Sequence, residues 1–397
     1  LSNALVGLDY DGDGVVDSTK VRTDADGNFS LRSTQENFTV IAVTDGRTID
    51  SSSGTVLSGI TLKAPSGATV VTPTTTLMNE GGLTAAQVSD VLGLPEGVDP
   101  LTFNAFAAGV NAADALAVEK ASHQIMSVVN AFAAAAEGSG ASQSDAFDAA
   151  LSSVAEVVKT KAAQLTDVNA SAADKTLDLS NGADLALIQS EVVTAISTAD
   201  GVDEAAFSRV ANDTSTAVQN VNTKIAEVTD LSSDATKNVF STTQVLAEQV
   251  KAASEAEVDS AGSGSIDFKD SDKVDEAAVN AAPTDITLSS KDISEAAGSL
   301  VVGTLSTVDS DQGSGVAFTY SIAEVLDTDY AAFSINQATG ELLLKKQPDY
   351  EAKASYKVTV LSTDEGGKTF SKTFSISIGN VNEAPTVANA IADQTIA

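Results

Sequence analysis

Cysteine and tryptophan are absent from this 397-residue chain, and histidine occurs once. Without cysteine there can be no disulfide, no thiolate nucleophile and no zinc–thiolate site. An exported protein made this way needs a bound metal, or simple size, as its stabilising device. The lone His123 sits among Val, Ile and Ala at helical spacing. It reads as a core residue, because a base or a ligand needs partners that converge on it. Basic residues are also scarce, 22 against 55 acidic ones, for a formal charge of −33. So acidic a chain is repelled by nucleic acid and concentrates divalent cations. No apolar run approaches the ~20 residues of a bilayer span, so membrane insertion is not expected. Nucleophile–base pairs and phosphate-binding glycine loops are missing as well, and an enzyme is not expected.

What is present is a folding chain, 43% hydrophobic and long enough for two to four domains. Residues 1–80 carry short β-branched runs, such as Phe38–Val43 and Gly59–Leu62, between Gly, Asp, Ser and Asn turns. They read as a small β-sandwich. From Pro100 to Pro283 there is no proline, and apolar positions recur at helical spacing. A long helical stretch is expected around Leu116–Phe132, and further ones over 146–165, 185–197, 204–228 and 235–258, with Asp145, Asp203 and Asp234 where helices start. Residues 81–258 are therefore an all-α bundle, continuous with the first module through Thr72–Leu77 and readable as one compound unit with it. The small residues of Asp259–Ser265 and the acids that follow suggest a flexible linker over 259–279. Period-two alternation returns in 316–322, 356–361 and 370–376, predicting an Ig-like β-sandwich over 280–385. The fold class is a multidomain α and β chain.

One phrase occurs twice: Val279-Asn280-Ala281-Ala282-Pro283-Thr284 returns as Val381-Asn382-Glu383-Ala384-Pro385-Thr386. A repeated junction around one β-rich domain marks a link in a series. Residues 386–397 then read as the start of a next repeat. With Leu1 in first place, the expectation is a piece of a longer protein. Between the copies lie Glu295, the pair Asp309 and Asp311, Asp349-Tyr350-Glu351, and Asp364. With Phe333–Asn336, Thr339–Leu342 and Asn380–Pro385, these residues fall in the order of the cadherin-like repeats of animal cadherins and bacterial surface adhesins. The segment resembles that family over about 280–385. The resemblance implies calcium held between consecutive domains. Glu295, Asp349, Glu351, Asn382 and Glu383 would serve the C-terminal junction, and Asn280, Asp309, Asp311 and Asp364 the N-terminal one. Asn380 and Glu383 depart from the family, which usually has aspartates there. Independently, calcium wants six to eight oxygens from carboxylates and carbonyls in loops, which scattered acids at the poles of a sandwich can supply.

A second acidic run, Asp9-Tyr10-Asp11-Gly12-Asp13-Gly14-Val15-Val16-Asp17, alternates acids with glycines. That spacing lets side chains and a carbonyl, that of Val15, point inward to one cation. Candidate ligands are Asp9, Asp11, Asp13, Val15 and Asp17. Lys20 stands where an EF-hand loop would close with glutamate, and a metal-free Asp/Gly turn is the competing reading. The segment resembles the calcium-binding B-repeat and transthyretin-like modules of bacterial surface proteins, and the whole chain resembles a fragment of a giant RTX-type adhesin.

These features predict a calcium-stabilised adhesive segment of a large secreted or cell-surface bacterial protein. Its partners would be neighbouring domains, other copies of itself, or an unknown surface ligand. A self-assembling filament or matrix subunit shares the same motifs. A glycan- or peptide-binding tip is the further alternative, disfavoured by the lack of tryptophan and the presence of only 5 tyrosines.

Overall fold

The computed structural model describes residues 1–33, 35–197, 201–309, 318–325, 328–364 and 367–382. Two compact units emerge: residues 1–284 with 309–318 and 363–370, and residues 285–308, 319–362 and 371–397.

The first unit opens with strands β1 (Leu5–Asp9), β2 (Val21–Arg22), β3 (Thr39–Val43), β4 (Thr48–Ile49), β5 (Val56–Leu57) and β6 (Thr61–Pro65). Four of them form an antiparallel sheet in the order β2-β1-β3-β6, while β4 and β5 make a separate hairpin. Register places Val6, Ala42 and Leu62 in one cross-strand row and Leu8, Val40 and Ala64 in another. All six are buried in one hydrophobic cluster that continues through the helices to Ala278. In place of the expected small sandwich stands a sheet that uses the helices as its second layer. Period-two alternation reports a buried face, not what covers it.

Helices follow as α1 (Pro73–Gly81), α2 (Ala85–Leu92), α3 (Ala112–Gly138), α4 (Gln143–Ala163), α5 (Ala172–Lys175), α6 (Gly182–Ile196), α7 (Glu204–Ala226), α8 (Asp234–Asp259) and α9 (Ser271–Val279). Helix α1 begins inside the stretch read as β. Pro73 supplies a preset helical φ, and Thr72 and Thr75 cap each other reciprocally, so threonines that look strand-like are helix-starting here. Asp203 is itself the cap of α7, whereas Asp145 and Asp234 lie in first turns capped by Ser142 and Ser233. The flexible linker expected over 259–279 is corrected too. Ile266, Phe268 and Val274 are at most 2% exposed, and α9 carries Ala277 and Ala278 into the same core. The polar and small residues around them, read alone, hide these anchors.

The second unit contains β7 (Asp285–Leu288), β8 (Asp292–Ser294), β9 (Val301–Val308), β10 (Thr319–Ala323), β11 (Phe333–Asn336) and β12 (Glu341–Leu344), with most of β13 (Ser355–Thr363) and β14 (Thr369–Gly379). They form two sheets, β10-β13-β14-β8 and β11-β12-β9-β7. Strand β8 pairs in parallel with the end of β14, whereas β11–β12, β12–β9 and β7–β9 are antiparallel. Alternate residues, including Leu342, Leu344, Val358, Val360, Phe374, Ile376 and Ile378, are buried between the sheets.

Candidate metal centres

Strand β8 ends at Ser294, and the next residue, Glu295, is turned inward at 7% exposure. Its amide donates to the Gly379 carbonyl at the end of β14, which fixes the backbone. One carboxylate oxygen accepts from the Tyr350 amide at 2.6 Å, and the other accepts from the Val381 amide. Those contacts draw the 349–351 turn and the chain leaving β14 to the same end of the sandwich. Asp349 and Glu351 are exposed there, and ligand oxygens of Glu295, Asp349 and Glu351 all lie within 4.8 Å of one another. The turn is held by Asp349 itself, whose Oδ1 accepts from the Ala352 amide at 3.0 Å. The Asn380 side-chain nitrogen donates to Glu351 Oε1 at 2.9 Å. Three stretches far apart in sequence thus deliver hard oxygen donors to one point, which fits a calcium donor set. Asn382 is exposed and stands two residues beyond Asn380. Glu383 lies outside the described residues.

The other end gives a different result. Asn280 donates from Nδ2 to Asp364 Oδ2 at 2.9 Å, and Asp364 is buried. Asp309 is half-buried, and Asp311 lies outside the described residues. Asp309 and Asp364 are the two carboxylates of this set among the described residues. Lys368, 1% exposed, places its ammonium against the carbonyls of Asn280 and Asn238, and its amide donates to Asp364 Oδ1 at 2.8 Å. A cation of the chain's own therefore stands beside these oxygens, a feature that reading the acids alone did not reveal.

In the N-terminal loop the structure gathers Asp9, Asp11 and Asp17 within the same 4.8 Å limit. Asp9 is only 3% exposed. Its Oδ1 accepts from the amides of Asp11 and Gly12, and its Oδ2 from Gly14. Gly12 and Gly14 have φ of 81° and 83°, a left-handed turn that glycine adopts without Cβ strain, so the loop can wrap the carboxylate. Asp17 Oδ2 accepts from the Tyr10 amide at 2.8 Å and closes the loop. Asp13 is not in the group. Its Oδ1 instead accepts from the amide of Val15, a residue 61% exposed. The donors that converge are again all oxygen, as a hard cation requires.

The sequence pattern of the cadherin domain matches residues 290–379. Human protocadherin beta-1 is 34% identical over 85 residues, which is 21% of this chain and 10% of that protein, so the chain spans about a tenth of that relative's length. Among solved structures, protocadherin gamma B2 extracellular cadherin domains 1–5 align over 26% of this chain and 20% of theirs, at 24% identity and a TM-score of 0.22. The third cadherin domain of human protocadherin 7 aligns over 26% of this chain and 92% of its own, at 17% identity and a TM-score of 0.21. Residues 290–379 of this chain are a cadherin domain.

Proposed function

We propose that this chain is a calcium-stabilised structural and adhesive segment of a large extracellular protein of a bacterial surface, attaching cells to one another or to a surface. The observation that carries the reading is the meeting of Glu295, Asp349 and Glu351 at the end of the cadherin domain. In this reading residues 280–385 are one repeat of a series, and 386–397 begin another. Asn382 and Glu383 complete the C-terminal donor set. Asp9, Asp11 and Asp17, with the Val15 carbonyl, serve a second site of the same chemistry. Bound calcium supplies a fixed divalent charge that offsets the mutual repulsion of the carboxylates. The residues themselves do the positioning: Glu295 is locked by two backbone amides, so a cation held there joins β8, the 349–351 turn and the exit of β14. The partners are neighbouring domains, further copies of the chain, or a surface ligand.

A ligand that binds only the folded state stabilises it by RT ln(1 + [L]/Kd), about 2.7 kcal/mol at a hundredfold excess over Kd. Calcorimetric melting of the full chain in saturating calcium should therefore raise the transition of the cadherin domain relative to chelator. Asp349→Asn with Glu351→Gln should abolish that shift while leaving the helical transition in place. Superimposable melts with calcium and with chelator would sink the proposal.

A further inference from the structure

A cavity of about 300 Å³ lies inside the first unit, between the sheet, the β4–β5 hairpin, the 103–106 segment and α3. That volume is at the small end of the range for ligand sites. Its polar wall is built with care. Asp50 accepts from Ser52 Oγ at 2.7 Å and from Ser53 Oγ at 2.6 Å. Ser52 Oγ also meets His123 Nε2 at 2.8 Å, and the imidazole stacks on Phe240 with centroids 3.8 Å apart. Since the Ser52 hydroxyl proton is directed to Asp50, His123 acts as the donor in that pair. The network fixes Asp50 and does not prime Ser52 as a nucleophile. Glu119 is different. Its side chain is 14% exposed, its Oε2 is 4.0 Å from His123 Nε2, and no hydrogen bond to its carboxyl is formed among the described residues. The rest of the lining includes apolar Phe29, Phe103, Val118 and Met126, and no lysine or arginine lines the space.

We propose that this cavity binds a small organic cation, an ammonium head against Glu119 and Asp50 with an apolar body against the phenylalanines of the lining. A buried carboxyl without a partner is costly unless a ligand satisfies it. With no lysine or arginine in the lining and the carboxyl groups of Asp50 and Glu119 there, the cavity favours a cation over an anion, and its apolar lining disfavours a bare metal ion. Burial, followed by the negative charge of Asp50, pushes the Glu119 carboxyl up to about 8, so at neutral pH it holds its proton. The groups facing it are Asp50 from the hairpin, His123 on its own helix and the Leu1 amine, with Asp26 also lining the cavity. Helix α8 contributes Thr243, and the 103–106 segment contributes no titratable group. An ammonium held by Glu119 favours its ionised form, so binding releases a proton and tightens as pH rises toward 8.

The test is titration calorimetry of the full chain with phenethylamine, 2-phenylethanol and phenylacetate at pH 6 and pH 8. The expected result is binding of phenethylamine alone, roughly tenfold or more tighter at pH 8, with proton release seen as a buffer-dependent enthalpy. Glu119→Gln, which keeps the shape, should lose the pH dependence and most of the affinity. Equal binding of the alcohol or the acid, a pH-independent affinity, or no heat from any probe overturns the proposal. If Glu119→Gln does not fold, the pH comparison on the unaltered chain decides alone.

Discussion

A Cβ placed on Gly7 would lie 2.2 Å from Val16 Cγ1 and 3.3 Å from Ser18 Oγ. The acidic loop folds back over β1 at that point, with the amides of Asp17 and Ser18 both donating to the Leu8 carbonyl. Gly7→Ala must therefore push the loop off the strand. The expected cost is about 1–3 kcal/mol, the usual range for overpacking, read as a lower denaturation midpoint of the first unit. Glu119 gives a prediction of another kind. Its ordinary value is 4.5, and burial with the nearby Asp50 carries it to about 8 in the folded protein. Between those values the folded state keeps a proton that the unfolded chain has released. Stability from this group is therefore highest below pH 4.5, falls as pH rises and is fully lost above 8. Glu119→Gln removes that slope, so the variant should gain on the unaltered chain as melts move from pH 5 to pH 8. An identical pH dependence in both would show that Glu119 is not held protonated.

Among the elements, the segment between α8 and the sandwich departs most from its sequence appearance. Phe268 is 2% exposed in a short turn, and its amide donates to Gln249 Oε1 at 3.1 Å. Asn220 clamps the same turn by donating to the carbonyls of Phe268 and Lys269. Phe268→Ala should cost about 3 kcal/mol or more, as a large-to-small core change does, whereas a flexible linker would lose nothing. Urea denaturation followed by helical circular dichroism measures this. Helices α4, α6, α7 and α8 were legible because long amphipathic periodicity and N-terminal acids act over many residues at once. Residues 266–278 were not, since Ile266, Phe268 and Val274 are isolated among acids, lysines and a serine over too short a stretch to show a period. The calcium candidates divide in the same way. Acids brought together by strand ends, as Glu295, Asp349 and Glu351 are, follow from motif order. Asp13 could not be separated from Asp9, Asp11 and Asp17 by spacing, because which oxygen turns inward depends on the backbone conformation at Gly12 and Gly14. Glu119 and His123 share one face of α3 at i, i+4, but Asp50 lies about seventy residues earlier in the β4–β5 hairpin, so only the fold brings it to them.

For the molecule as a whole, the sharing of one core by the N-terminal sheet and the helices has a direct consequence. Val6, Leu8, Val40, Ala42, Leu62 and Ala64 present their apolar face to the cluster that holds Leu77, Phe132 and Leu151. A sheet with one apolar face and no second layer cannot recover its ordering entropy, and a few strands alone are marginal in water. Helix α1 is joined to β6 besides by Thr76 and Thr75, whose hydroxyls donate to the Lys63 carbonyl, while the Lys63 amide donates back to Thr76 Oγ1. Residues 1–80 expressed alone should therefore stay unfolded, with or without calcium, whereas residues 1–284 should fold and melt as one cooperative unit. Amide exchange decides it: in residues 1–284, the β1, β3 and β6 amides should exchange at the same slow rate as the core of α3. A stable, calcium-responsive 1–80 fragment would instead make the sheet an independent module.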